Sequence, residues 1–461
     1  MPCRFRIDDP MLSGTLRRIE QAVRQAGGRT WLVGGSVRDL VLGRQPQDLD
    51  IEVFGLPPGQ LHALLERQFS VQFVGKAFGV FKLEGLPVDI STPSRLLTDH
   101  GSVPGLLRQA APEMDIDEAL ARRDFTINAM AWDPDTLELR DPFNGRADLA
   151  ARVLRHASDR FAEDPLRVLR GMQLIARFEL APAPDTVALC STLSQDAQPR
   201  ERLWEEWKKL IVQGVKLSRG LQFLNDCGWL RFYPELSALQ GCEQDPTWHP
   251  EGDVWIHTLH CLDWFATERT GRREDDLPIG LGVLCHDFGK PATTRRDGGR
   301  ITARGHEQEG VEPARHFLAR LTTQEDLIHE VLALVRCHLR PRALYDIRAS
   351  DSAVRRLARH VIRIDRLVRV ARADHAGRPP KPFDGFPAGA WLLDRAKALN
   401  VETHAPAAIV MGRHLLDWGI QPGPEMGRVL DDCYEAQLDG IFSTLEEGLT
   451  YARSQLVSRH S

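Results

Sequence analysis

Residues 34–54 read GGSVRDLVLGRQPQDLDIEVF, and no other stretch restricts the fold so much. Asp48 and Asp50 alternate with Leu49, Ile51 and Val53, so the run predicts a strand with one apolar face. Side chains two residues apart on a strand share a face, which sets the two carboxylates side by side. Like charges that close repel unless a cation lies between them, and a divalent metal is the simplest candidate. Upstream, Trp31-Leu32-Val33 runs into Gly34-Gly35-Ser36, with a helix expected over 37–42. Glycines bring backbone N–H groups close to a ligand, and a helix start adds its positive end. That arrangement suits a triphosphate, with Arg38 adding charge. Asp48 and Asp50 would then hold magnesium for in-line phosphoryl transfer, and Asp89, in the later strand VDISTPSR, would be the third carboxylate.

The chain has 461 residues, more than one core requires, so several domains are expected. Hydrophobic residues make up 42% and charged residues 27%, the balance of a globular protein with no bilayer-spanning run. The opening MPCRFRIDDP lacks the apolar stretch of a signal peptide. Eight scattered cysteines without a CxxC pair point to reduced thiols and a cytoplasmic location rather than a zinc knuckle or a disulfide framework. A net charge of −5 argues against wholesale wrapping by nucleic acid, but it leaves room for a local basic groove. Arginine is abundant over residues 146–220, which is where such a groove would lie.

A helix is expected over 14–27, ending at Gly27-Gly28, with strands at 30–34, 49–54, 71–74, 79–90, 126–133 and 137–140. This is an α+β head. From Asp148 onward the pattern is helical, with Val168, Leu169, Met172, Ile175 and Ala176 on one stripe. Residues 250–375 are helical again and rich in histidine. The segment RPPKPFDGFPAG is a proline and glycine break before a helical tail.

The stretch GGSVRDLVLGRQPQDLDIEV resembles the signature of the class II tRNA nucleotidyltransferase and bacterial poly(A) polymerase family, within the DNA polymerase β superfamily. RRDFTINAMAWD is similar to that family's ribose-recognition and hinge motif, and DPFNGRADLAARVLRH to its connecting motif. RFAEDPLRVLRGMQLIARF resembles its templating helix, and QPRERLWEEWKKL its helical neck, whose lysines either face tRNA or are simply solvated. The resemblance implies that Arg123 contacts the nucleotide, that Asp124 and Asn128 read the ribose, and that the substrates are CTP, ATP and a tRNA 3′ end. Asp164 and Arg167 would read the base. A carboxylate accepts from an exocyclic amine and a guanidinium donates to ring acceptors, so one Asp/Arg pair suits cytosine and adenine. Guanine and uracil present a carbonyl where that amine should be. Three residues apart on a helix, Asp164 and Arg167 would be neighbours, and Arg170, one turn on, would reach base or phosphate. Many relatives have a third arginine where Gln173 stands here.

A second constellation follows: WHPEGDVWIHTLH, LCHDFGK, GHEQEG, VRCHLRP and RADHAG. The order His257, His286-Asp287, then Asp374 resembles the HD phosphohydrolase superfamily, with His306 and His338 as ligands for a second metal. Neutral imidazoles suit a divalent transition metal better than magnesium. His249, His260 and His375 are expected to be bystanders, and Lys290 to face a substrate phosphate or to neutralise a helix end. In this family such a domain is associated with 2′,3′-cyclic phosphodiesterase, 2′-nucleotidase and phosphatase activity.

The expected architecture is a polymerase-β-like head over 1–147, a helical neck over 148–245, an all-α HD domain over 246–377 and a helical tail over 378–461. The expected activity is addition and repair of the tRNA 3′-terminal CCA, with no membrane association and no obligate protein partner. The alternatives are an A-adding enzyme, a poly(A) polymerase, or an HD hydrolase whose head only binds nucleotide.

Overall fold

The computed structural model describes residues 5–74, 79–96, 108–196 and 198–460. Two compact units emerge. One comprises Met1–Leu210 with Arg219–Phe232, and the other Ile211–Ser218 with Tyr233–Ser461.

The first unit is built on a seven-stranded mixed sheet. From edge to edge its strands are Val71–Val74, Val80–Leu83, Val88–Ser91, Leu49–Phe54, Arg29–Val33, Ala131–Trp132 and Leu139–Arg140. Only Leu49–Phe54 and Val88–Ser91 run parallel, and their register sets Asp50 beside Asp89. Leu49, Ile51 and Val53 join the core beneath the sheet together with Leu12, Leu16, Ile19 and Val23 of the helix Pro10–Gln25. The alternation of strand side chains therefore sends Asp48, Asp50 and Glu52 to the other face. That helix begins four residues earlier than the apolar stripe predicts, because Asp9 accepts from the Met11 and Leu12 amides and Pro10 stands at the first helical position. The strand expected over 79–90 is two strands, separated by a turn whose Gly85 has φ +73°. The run expected as a strand from 126 starts instead as the 3-10 turn Thr126–Asn128.

Helices follow. Arg167–Phe178 buries Val168, Leu169, Met172, Ile175 and Ala176, the stripe that its periodicity predicts. Pro184–Ser191 and then Arg200–Gln213 come next.

In the second unit, the helices Val254–Thr267, Arg273–Cys285, Glu325–Cys337 and Ile364–Ala376 pack against one another. Gly282 permits close approach, since a Cβ there would lie 3.1 Å from Val370 and 3.4 Å from Leu334. The tail has its own cluster around Leu415, Val429, Cys433 and Phe442. Its last helix is closed by a reciprocal cap, in which Glu447 accepts from the Thr444 amide and Thr444 from the Glu447 amide. The cysteines among the described residues are all unpaired. Among the described residues no helix is long and apolar enough to cross a membrane.

Gly145 lets the connecting helix dock on the Thr126 turn, because a Cβ there would sit 2.2 Å from the Thr126 carbonyl oxygen. Gly145→Ala is expected to destabilise the protein by about 1–3 kcal/mol. An unchanged urea midpoint would show that the helix has room to slide.

Candidate active sites

In the first unit a cavity of about 230 Å³ is lined by Gly34, Gly35, Asp50, Arg123, Asp124, Asn128, Asp164, Arg167, Arg170 and Arg202. Most of the expected nucleotide-binding residues therefore meet in one place. Gly34 has φ +68°, and a Cβ there would fall 2.7 Å from the Arg123 guanidinium and 3.3 Å from Asp50 Oδ2. Gly34 keeps this passage open. Burial raises the Asp50 carboxyl, Arg123 opposes that, and the charges of Asp48 and Asp89 raise it further. Asp48 and Asp89 thus both bear on Asp50 electrostatically, although neither lines the cavity. Asp89 is held at both oxygens by Lys82, at 2.7 and 2.6 Å.

Other expected residues act one step back from the cavity. Ser36 is fully buried, and its hydroxyl donates to the Asp48 carbonyl at 3.1 Å while accepting from the Asp50 amide at 2.9 Å. It braces the acidic strand rather than facing a phosphate. Arg38 is also buried, donating to Asn128 Oδ1 at 2.8 Å and to Asp39. Asn128 in turn donates to Asp124 Oδ1 at 3.1 Å. Asp124 accepts from Arg170 Nε at 2.7 Å through its other oxygen. Burial alone would raise Asp124, but Arg170, Arg167 and Asn128 outweigh it and hold the carboxyl far below the usual range. Arg123 pairs with Glu52 at 3.1 Å.

The templating pair differs from its sequence reading. Asp164 is not on the helix. Its backbone is extended, at φ −141° and ψ 97°, because Pro165 excludes the α conformation before it. Its carboxylate accepts from the Leu166 amide at 3.2 Å and from Arg202 at 2.6 Å. Arg167 opens the helix and donates to the Arg160 and Arg122 carbonyls. The two residues face one cavity, and the Arg167 amide donates to the Asp164 carbonyl at 3.0 Å. Arg202, 38 residues from Asp164, carried no signal beyond its place in QPRERLWEEWKKL. Gln173 is buried and accepts from Arg177 at 3.0 Å.

The second unit gathers the histidines around a cavity of about 260 Å³. His286 and His338 stand just past the ends of their helices, where carbonyls lack intrahelical partners. Each donates its Nδ1–H, at 2.7 Å, to the carbonyl three residues before it, Val283 and Val335. His306 does the same to Ala303 at 2.7 Å. His257 Nδ1 lies 2.7 Å from Glu251 Oε1. These bonds turn four Nε2 lone pairs inward. His257 Nε2 lies 3.2 Å from Asp374 and 3.8 Å from Asp287 Oδ2, and His286 Nε2 lies 3.1 Å from the same Asp287 oxygen. His306 Nε2 lies 3.3 Å from Asp287 Oδ1 and 3.2 Å from His338 Nε2.

Two imidazole lone pairs at that separation repel unless a cation or proton lies between them. His286 Nε2 and both Asp287 oxygens are buried without a well-aligned hydrogen bond, although the Lys290 ammonium stands 2.7 Å from Asp287 Oδ2. The donor set therefore fits divalent cations, which Asp287 and the histidines would hold. Burial and the charges of His286 and His306 push His338 down to about 3, so it stays a neutral ligand. Burial would raise Asp287, but His286, Lys290 and His306 hold it well below the usual range. No comparable triad among the described residues includes Asp48, Asp50 or Asp89.

Lys290 starts a short helix rather than ending one, and ion-pairs with Asp287 at 2.7 Å. His249, expected as a bystander, lines the cavity and lies 2.8 Å from Glu251, which it shares with His257. Glu251 was missed, yet WHPE immediately before the first ligand helix was the visible signal.

The mixed sheet, its glycine turn and its acidic strand define a nucleotidyltransferase head, and a family model described as the poly A polymerase head domain matches residues 30–155. The chain is 35% identical over 388 residues to the multifunctional CCA protein of Laribacter hongkongensis, covering 81% of this chain and 91% of that one. It is 35% identical over 422 residues to its counterpart from Xanthomonas oryzae pv. oryzae, covering 87% and 96%. A Bacillus stearothermophilus CCA-adding enzyme, solved with CTP, shares the fold with a TM-score of 0.65 at 23% identity over 98% of this chain and 99% of that one. The chain belongs to the multifunctional CCA protein family of tRNA nucleotidyltransferases. Enzymes of this family use a divalent metal.

Removing the Asp124 charge leaves Arg170 facing an uncharged partner. Asp124→Asn is expected to cost about 2 kcal/mol, less than a fully buried pair, because water reaches Arg170. The folded carboxyl is depressed, so its stabilisation is complete above the unfolded value of about 3.9 and fades as pH falls below it. Stability curves of the two proteins should run parallel from pH 8 to 5 and converge only under about pH 4. Convergence near neutrality would exclude this pair as the source.

Proposed function

We propose that the first cavity builds the 3′-terminal CCA of tRNA from CTP and ATP, and that the histidine cluster hydrolyses phosphate esters at RNA ends. The observation that carries the first part is the single cavity shared by the acidic strand, the ribose turn and the templating pair. In this reading residues 1–147 are the transfer head, 148–245 the neck, 246–377 the hydrolase domain and 378–461 a supporting tail. The protein acts in the cytoplasm.

Gly34 and Gly35 leave space for the triphosphate, and Arg123 offsets its charge. Asp124 and Asn128 take the ribose hydroxyls. Asp164 accepts the exocyclic amine of cytosine or adenine, and Arg167 donates to the ring. Arg202 pairs with Asp164 at 2.6 Å and so limits where its carboxylate can turn. The ribose 3′-oxygen bonds to the α-phosphorus as the bond to the bridging oxygen breaks and pyrophosphate leaves, with the hydroxyl proton taken by the carboxylates of the paired strands. Asp48 and Asp50 are hard oxygen donors suited to magnesium, which when bound supplies charge neutralisation at the phosphates. His257, His286, Asp287 and Asp374, with His306 and His338, are the donors for a divalent transition metal pair at the second site.

The multifunctional name of the relatives supports a second activity, and those relatives make the full CCA reading preferable to A-only or poly(A) addition. Incubation with tRNA lacking CCA and each nucleotide combination tests this. CTP followed by ATP should restore one CCA and stop, whereas ATP incorporation onto a CC end without any use of CTP contradicts it. Asp50→Ala should reduce transfer by at least about a thousandfold and spare phosphate release, and Asp287→Ala should do the reverse. Loss of both activities in either variant would refute the division of labour.

A further inference from the structure

Trp248 is 65% exposed, among the most exposed large apolar side chains of the protein, and it lines the cavity that holds Asp287, His306, His338 and Asp374. Its loop is pinned. Its amide and that of His249 donate to the Asp245 carbonyl at 3.0 and 2.8 Å. Lys381 Nζ donates to the Thr247 and Trp248 carbonyls at 2.6 and 3.1 Å and stands 5.5 Å from the centre of the indole ring. An exposed indole gains little from folding, yet the backbone that carries this one is held in place before any ligand arrives. An exposed aromatic face suits a base, since every base presents a π-face, and prior immobilisation removes an ordering cost from binding.

Cations stand at the mouth as well, beside the acidic Glu243 and Asp245 that also line it. Ile301 and Thr302 of the hairpin Arg295–Asp297 and Arg300–Thr302 line the same cavity, and Arg295, Arg300 and Arg304 are exposed on and beside that hairpin. Arg378 and Lys290 bring further cations to the cavity wall, where they pair with Asp374 and Asp287.

We propose that Trp248 is the base platform of the histidine-cluster site, stacking on the 3′-terminal nucleoside of an RNA whose 2′ or 3′ phosphate reaches Asp287 and the histidines. The proposal rests on reading that cluster as a phosphohydrolase and adds what the site selects. It takes nucleoside phosphates in preference to phosphate esters that lack a ring. Trp248 is a positioning residue, so its loss should appear in KM and not in kcat.

The test uses the full chain supplied in turn with manganese, cobalt, nickel or zinc, and follows phosphate release from 2′-AMP and from glycerol 2-phosphate. Trp248→Ala should raise KM for 2′-AMP about tenfold or more, the size of one base–aromatic stack, with kcat retained. Activity on glycerol 2-phosphate should not change, and Trp248→Phe should keep most of the preference for the nucleotide. An equal loss on both substrates, no loss on either, or a change in oligomeric state as the only effect would overturn the proposal. The last outcome would mark Trp248 as a protein contact. If the unaltered enzyme releases phosphate from neither substrate, the hydrolase reading fails by itself. Equilibrium dialysis of 2′-AMP then decides the platform, which requires weaker binding by Trp248→Ala than by the unaltered chain and is refuted by equal binding.

Discussion

Asp124 accepts from Arg170 at 2.7 Å inside the first unit, and the geometry of the transfer site hangs on that contact. One oxygen of Asp124 fastens the ribose turn to the helix Arg167–Phe178. The other takes the Phe125 amide and Asn128, and Asn128 takes Arg38. A buried carboxylate in this position must be both paired and hydrogen-bonded, or its desolvation would unfold the turn. The turn Thr126–Asn128 and the start of the helix Arg167–Phe178 are thereby set relative to each other by charge. Ser36 performs the matching task for the acids, tying the glycine turn to the strand that carries Asp48 and Asp50.

The histidine cluster solves a different electrostatic problem with similar means. Its inward lone pairs are fixed from behind by carbonyls and by Glu251, so no ring can turn away to relieve repulsion. Such an arrangement is stable only with a positive charge at its centre. The two sites differ in donor chemistry, one offering carboxylate oxygens and the other mainly imidazole nitrogens. Carboxylate oxygens suit hard cations and imidazole nitrogens softer ones, so the two donor sets differ in the ions they favour.

Much of this was readable in advance. The spacing of Asp48 and Asp50 and the glycine pair place residue types where local geometry leaves few options, whereas the segments around Arg123, Asp164 and His286 were legible through their resemblance to known families. The α+β head and the helical remainder followed from periodicity. Misreadings arose where one neighbour or one distant residue overrides local pattern. Pro165 removed Asp164 from the helix that its spacing with Arg167 implied. Arg202 took the Asp164 carboxylate from 38 residues away. His249 looked dispensable because nothing in its spacing shows that it shares Glu251 with His257.

The sequence alone determined which strand is acidic on one face, where helices start and stop, and which residue types can ligate a metal or read an amine. These are properties of neighbours within a few positions, set by side-chain alternation, backbone restriction and intrinsic donor chemistry. Tertiary structure alone decided which of those groups meet, which tautomer each histidine shows, and which polar residues brace instead of bind. Those outcomes depend on contacts between segments tens to more than a hundred residues apart, such as His257 with Asp374, and local composition carries no record of such distances.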